Sequence, residues 1–161
     1  MRAIAFHITW GTYGTRLHGD PRGTVLRAQN TPGTPILEHD PKLWDDSKAR
    51  LRYPPVRLTR EQMVFIEATI PDLCGRGFWT LHACAAGPDH VHVVLATQHD
   101  PDTARRLLKR WLGQAMSEQW DLGDGPDRTW WAEGGSTKPI CDEVYLENAV
   151  RYVLRQRATH L

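Results

Sequence analysis

His90 and His92 stand one valine apart in Asp89-His90-Val91-His92-Val93-Val94-Leu95. On an extended strand alternate side chains share a face, so the two imidazoles project together while Val91 and Val93 point the other way. A fixed pair of imidazoles is half of a divalent metal site. Tyr152 and Gln156 form the second informative pair. Their spacing puts a phenol and an amide side by side on one helical face. An amide carbonyl is a hard oxygen donor that suits Mg2+ or Mn2+. Two imidazoles and one amide oxygen leave coordination positions for substrate oxygens, as a Lewis acid acting on a phosphate requires. A phenol of pKa about 10 is a weak nucleophile at neutral pH and needs activation. Once formed, a tyrosyl phosphate keeps the free energy of the phosphodiester, which favours strand transfer over hydrolysis.

The elements that must position these groups read as follows. Residues 3–10 are rich in β-branched and aromatic types and predict a first strand. From about 17 to 57 the chain turns to Gly, Pro, Asp and Arg, an irregular insert of a length that is uncommon in a compact domain. Thr59-Arg60-Glu61-Gln62 matches a capping box and opens a helix through roughly Leu73. Strands over 78–86 and 90–97, joined by Gly87-Pro88-Asp89, predict a hairpin. A second helix starts at Asp100-Pro101, with Ala104, Leu107, Leu108, Trp111, Leu112, Ala115 and Met116 at helical spacing. Residues 128–140 read as a hairpin or edge strand, and Asp142 caps a last helix from about Glu143 to Gln156. There Leu146, Ala149, Val150, Val153 and Leu154 make an apolar stripe, with Tyr152 and Gln156 at its margin. This order predicts one α+β domain over 1–161, an antiparallel sheet with helices packed on one face.

Composition removes several alternatives. With 161 residues, 40% hydrophobic and 24% charged, the chain has the make-up of one ordinary globular domain. It has no apolar run long enough for a membrane span and no signal-peptide pattern, so the cytoplasm is the expected location. Cys74, Cys84 and Cys141 are scattered and form no Cys-x-x-Cys, against a disulfide framework or structural zinc. A zinc deaminase needs that Cys-x-x-Cys, and a histidine-triad nucleotide hydrolase needs a histidine where Val94 stands. Net charge is only +1, so a nucleic-acid surface requires clustered cations.

Asp89-His90-Val91-His92-Val93-Val94-Leu95, followed by Tyr152-Val153-Leu154-Arg155-Gln156, resembles the HUH single-tyrosine transposases of bacterial insertion sequences. The pattern is most similar to their branch associated with repetitive extragenic palindromes. Ile8-Thr9-Trp10-Gly11-Thr12-Tyr13-Gly14-Thr15 and Gly19-Asp20-Pro21-Arg22-Gly23 also resemble the start of such proteins. The resemblance implies a ferredoxin-like (RRM-like) sheet with the tyrosine on a C-terminal helix. It assigns His90, His92 and Gln156 to an Mg2+ or Mn2+ site and Tyr152 to the nucleophile. It further implies action on single-stranded DNA beside a hairpin, through a 5′-phosphotyrosine and a released 3′-hydroxyl, by a bacterial cytoplasmic homodimer using no nucleotide cofactor. Only five residues follow Gln156, so regulation by a longer tail is not expected. The alternative is a domesticated hairpin-binding relative with weak or no transposition chemistry.

Tyr145 competes with Tyr152 as nucleophile, and His82 is read as a satisfied strand histidine, with a place across the hairpin from the pair as the competing reading. Arg105, Arg106, Lys109 and Arg110 on the second helix are candidate phosphate contacts, with a solvated charged face as the competing reading. Arg16, Arg22 and Arg27 early in the chain, and Lys138, Arg151, Arg155 and Arg157 late in it, are further candidates. Trp10, Tyr13, Trp130 and Trp131 are candidates for stacking on unpaired bases, with core packing the expected use of half of them.

Overall fold

Strand β1 (Ala5–Gly11) leads, past an intervening segment, to helices α1 (Pro41–Ala49) and α2 (Arg60–Arg76). The hairpin β2 (Thr80–Ala86) and β3 (His90–Ala96), helix α3 (Pro101–Gln119), β4 (Ser136–Ile140) and α4 (Glu143–Arg155) follow. The structure, a computed structural model, describes residues 2–15 and 41–158. The four strands form one antiparallel sheet in the order β2-β3-β1-β4, so the two outer strands in space are the second and fourth in sequence. The residues expected as a hairpin or edge strand over 128–140 supply edge strand β4.

Local signals explain most of the boundaries. Thr59 and Gln62 close a reciprocal capping box at the start of α2. Asp142 accepts a bond from the Tyr145 amide at 2.7 Å and so starts α4. Asp100 makes no side-chain bond to the backbone of α3, whose start rests on Pro101 instead. The β2–β3 turn is closed by Gly87 N–H donating to the His90 carbonyl at 2.8 Å.

Helices cover both faces of the sheet, which corrects the expectation of one covered face. One core joins Ile8, Trp10, Val91, Val93 and Leu95 to Ile66 and Ile70 of α2 and to Leu108 and Leu112 of α3. A second, smaller core joins Ala5, Ala83, Ala85, Val94 and Ile140 to Ala149 and Val153 of α4. The reason lies in the alternation of β2: Ala83 and Ala85 present only small groups on their face, which lets a helix approach closely. Leu154, assigned to the apolar stripe of α4, is exposed, while Ala149 and Val153 are buried.

The insert is not irregular throughout, because α1 occupies Pro41–Ala49. This helix buries none of its residues, so its sequence carries no apolar stripe for periodicity to reveal. The aromatic reading also changes. Trp10, Trp130 and Trp131 are buried core residues, and Trp131 Nε1 donates to the Lys109 carbonyl at 2.8 Å. They are therefore unavailable to stack on bases. Tyr13 is partly buried, with its hydroxyl accepting from the Arg52 amide at 3.2 Å.

Candidate functional site

The β3 alternation sends Val91, Val93 and Leu95 into the larger core and His90, His92 and Val94 toward the α4 side. β1 contributes to the same face: Thr9 pairs with His92, Gly11 with His90 and His7 with Val94. β4 extends the row, with Lys138 opposite His7 and Ser136 opposite Thr9. α4 packs mainly on β2 and β3, at one side of this face. Lys138, at the other side, is exposed.

Each histidine is held through its Nδ1. His90 Nδ1 lies 2.6 Å from Asp89 Oδ1. Asp89 is itself buried, with Arg57 Nη1 at 3.9 Å from its other oxygen. His92 Nδ1 lies 3.0 Å from His7 Nε2 and 3.1 Å from Thr9 Oγ1. Engaging Nδ1 directs coordination to Nε2, as outer-shell partners of metal-ligating histidines do. The two rings are 4.8 Å apart, centre to centre, and nearly perpendicular. Burial, and next the charge of Lys138, push the His7 imidazole down to about 4, so it is neutral at physiological pH.

Tyr152 stands over this cluster. Its ring centre is 5.7 Å from that of His92, at 89°, and 6.1 Å from that of His7. It is 43% exposed, so the phenol is reachable from solvent while its ring edge is fixed. Tyr145 is exposed on the same helix but makes no ring contact with the histidines among the described residues. Gln156 forms the C-cap of α4 one turn beyond Tyr152, with an exposed side chain. Its amide is not brought into hydrogen-bond contact with either histidine among the described residues. The described residues hold no cluster of three His, Cys, Asp or Glu side chains suited to a metal. The donor set therefore fits a two-imidazole half-site, which a neutral amide and substrate oxygens would have to complete.

Other expectations are placed elsewhere. His82 is exposed at the bulge between Leu81 and Ala83, and the residue opposite His92 on β2 is Ala85. Arg105, Arg106, Lys109 and Arg110 lie on α3, across the sheet from the histidines. Arg105 binds Asp102 at 3.1 Å, and Lys109 Nζ donates to the Ala132 and Gly134 carbonyls at 2.7 and 2.8 Å. Arg106 donates to Thr103 at 3.0 Å. Arg155 is exposed on the last turn of α4 and Arg151 pairs with Glu147 at 2.8 Å. Arg16, Arg22 and Arg27 lie outside the described residues. Sequence reasoning missed His7, Thr9 and Asp89 as members of the site. Asp89 had a signal, since it adjoins His90; His7 and Thr9 share a face by period 2, but nothing local says which strand they join.

No family profile matches the chain, and no curated protein matches it. Among solved structures the chain is similar to a candidate transposase from Deinococcus radiodurans R1, at 14% identity and a TM-score of 0.48. That match covers 98% of this chain and 93% of the other. No helix among the described residues is long and apolar enough to cross a membrane.

Proposed function

We propose that this chain is a metal-dependent single-stranded DNA endonuclease and strand transferase of the HUH single-tyrosine type, with a ferredoxin-like sheet. The observation that carries this reading is the joint placement of Tyr152 against His92 and the tethering of both histidines through Nδ1. His90 and His92 would hold Mg2+ or Mn2+, with Gln156 as the third protein donor. When bound, the ion supplies Lewis acidity to a scissile phosphate.

The chain's own residues do the rest. Asp89 holds His90, and His7 with Thr9 holds His92, so neither ring must be ordered when substrate arrives. Tyr152 Oη attacks phosphorus, forming the O–P bond as the P–O3′ bond breaks. The phenol proton leaves to solvent and the 3′-oxygen takes one up, giving a 5′-phosphotyrosine and a free 3′-hydroxyl. Reversal by a new 3′-hydroxyl rejoins strands. Lys138, exposed beside His7 on the open side of the face, is suited to a flanking phosphate. The substrate class is single-stranded DNA bearing hairpins, and the acting species a homodimer.

The test is incubation with hairpin-bearing single-stranded oligonucleotides and Mn2+, scored for a covalent protein–DNA adduct. Wild type and Tyr145→Phe should form it. Tyr152→Phe should bind DNA but form none, and His92→Ala should form none at any Mn2+ concentration that supports the wild type. An adduct in Tyr152→Phe sinks the assignment. Hairpin binding without any wild-type adduct points to a binding protein instead.

A further inference from the structure

Glu67 of α2 is a carboxylate only 2% exposed. Its Oε2 accepts from the Ala86 amide at 3.0 Å and from the Ala158 amide at 2.8 Å. Its Oε1 faces Arg157 Nη2 at 3.8 Å, and Arg157 Nη1 donates to the Cys84 carbonyl at 3.0 Å. Since β2 is an edge strand, two of its backbone groups are thus satisfied by side chains rather than by another strand. The result is a buckle. It runs from α2, on one face of the sheet, around the β2 edge to the chain just past α4, on the other.

The buckle matters because apolar packing stops short of the end of α4. Val153 is the last fully buried residue of the helix, and Leu154, Arg155 and Gln156 are all exposed. The next buried residue is Ala158, whose amide Glu67 binds. We propose that Glu67 is a positioning residue that fixes the last turn of α4, and with it Tyr152 and Gln156, over His90 and His92. Its role in turnover rests on the strand-transfer reading above; its role in geometry does not. The acceptor oxygen, rather than the charge, is the operative feature. Glu67→Gln can set its carbonyl where Oε2 stands and keep both amide bonds, whereas Glu67→Ala loses both.

The experiment compares wild type, Glu67→Gln and Glu67→Ala in three measurements. These are ring–ring nuclear Overhauser contacts between Tyr152 and His92, amide exchange at residues 154–158, and single-turnover adduct formation at saturating hairpin DNA with Mn2+. Misplacing a nucleophile by about 1 Å costs on the order of 100-fold in rate. Glu67→Ala should lose the Tyr152–His92 contact, exchange faster at 154–158, and form adduct about 100-fold more slowly with DNA affinity unchanged. Glu67→Gln should match wild type within a few-fold. A Glu67→Ala protein that keeps the ring contact and the wild-type rate overturns the proposal, as does equal loss in both variants. If wild type forms no adduct but Glu67→Ala still loses the ring contact, the positioning role stands and the strand-transfer reading falls. If Glu67→Ala loses protection at Val93 and Leu108, the fold itself has failed and Glu67→Asp replaces it. That variant keeps the charge but is one methylene short; it should slow the adduct with the Val93 and Leu108 amides protected, and a wild-type rate overturns the proposal.

Discussion

His7 should make this protein lose stability in mild acid, by an amount its environment sets. Burial, and next the charge of Lys138, hold its imidazole at about 4 rather than the ordinary 6.5. The unfolded chain therefore takes up this proton near pH 6.5, while the folded chain resists until about pH 4. Between those values the unfolded state binds more protons, so stability rises with pH. The contribution is fully present above 6.5 and is lost progressively as pH falls toward 4. The gap corresponds to about 3 kcal/mol. His7 Nε2 and His92 Nδ1 share a hydrogen bond, so the replacement must keep a bonding partner for His92. The assay is urea unfolding of metal-free wild type and His7→Gln across this range. Glutamine can still bond to His92 but does not titrate, so subtraction removes the other titrating groups. The stability difference between the two should move against wild type by about 3 kcal/mol on going from neutral pH to pH 4. A difference that stays flat across the window refutes the reasoning.

Three further substitutions have expected outcomes. Asp89→Asn removes the carboxylate 2.6 Å from His90 Nδ1 and should weaken Mn2+ binding about 10- to 100-fold in calorimetry; unchanged affinity would detach Asp89 from the site. Lys138→Ala should reduce the slope of log affinity against log salt for single-stranded DNA by about 1, and an unchanged slope removes this contact. The same change should raise the His7 pKa from its depressed value, because the Lys138 charge is one of its causes. Val153→Ala deletes two buried methyl groups from the core beneath α4 and should cost about 2 kcal/mol in urea unfolding; a cost near zero would mean that the helix is held elsewhere.

Much of the fold was legible because its signals are local. The capping box at Thr59 and Gln62, the aspartate at 142 and the turn at Gly87-Pro88-Asp89 act within a few residues, and each starts or joins the element expected of it. The stripe Ala104, Leu108, Leu112 and Met116 is buried along α3 for the same reason. α1 escaped notice because a helix with no buried face has no period to read. The tryptophans were ambiguous because a large aromatic serves a core or a base equally well until its surroundings are known.

The amino-acid sequence by itself determined that His90 and His92 share one face of a strand, since a period of two depends on nothing but extended backbone. It likewise determined that Tyr152 and Gln156 stand one turn apart on a helix. Only the tertiary structure decided that Tyr152 meets His92 and His7 on one face. That meeting depends on β1 lying between β3 and β4, on α4 crossing to the side opposite α2 and α3, and on Glu67 catching the chain 91 residues later. Such contacts are set by which faces can be buried together across the whole domain, and no local spacing encodes them.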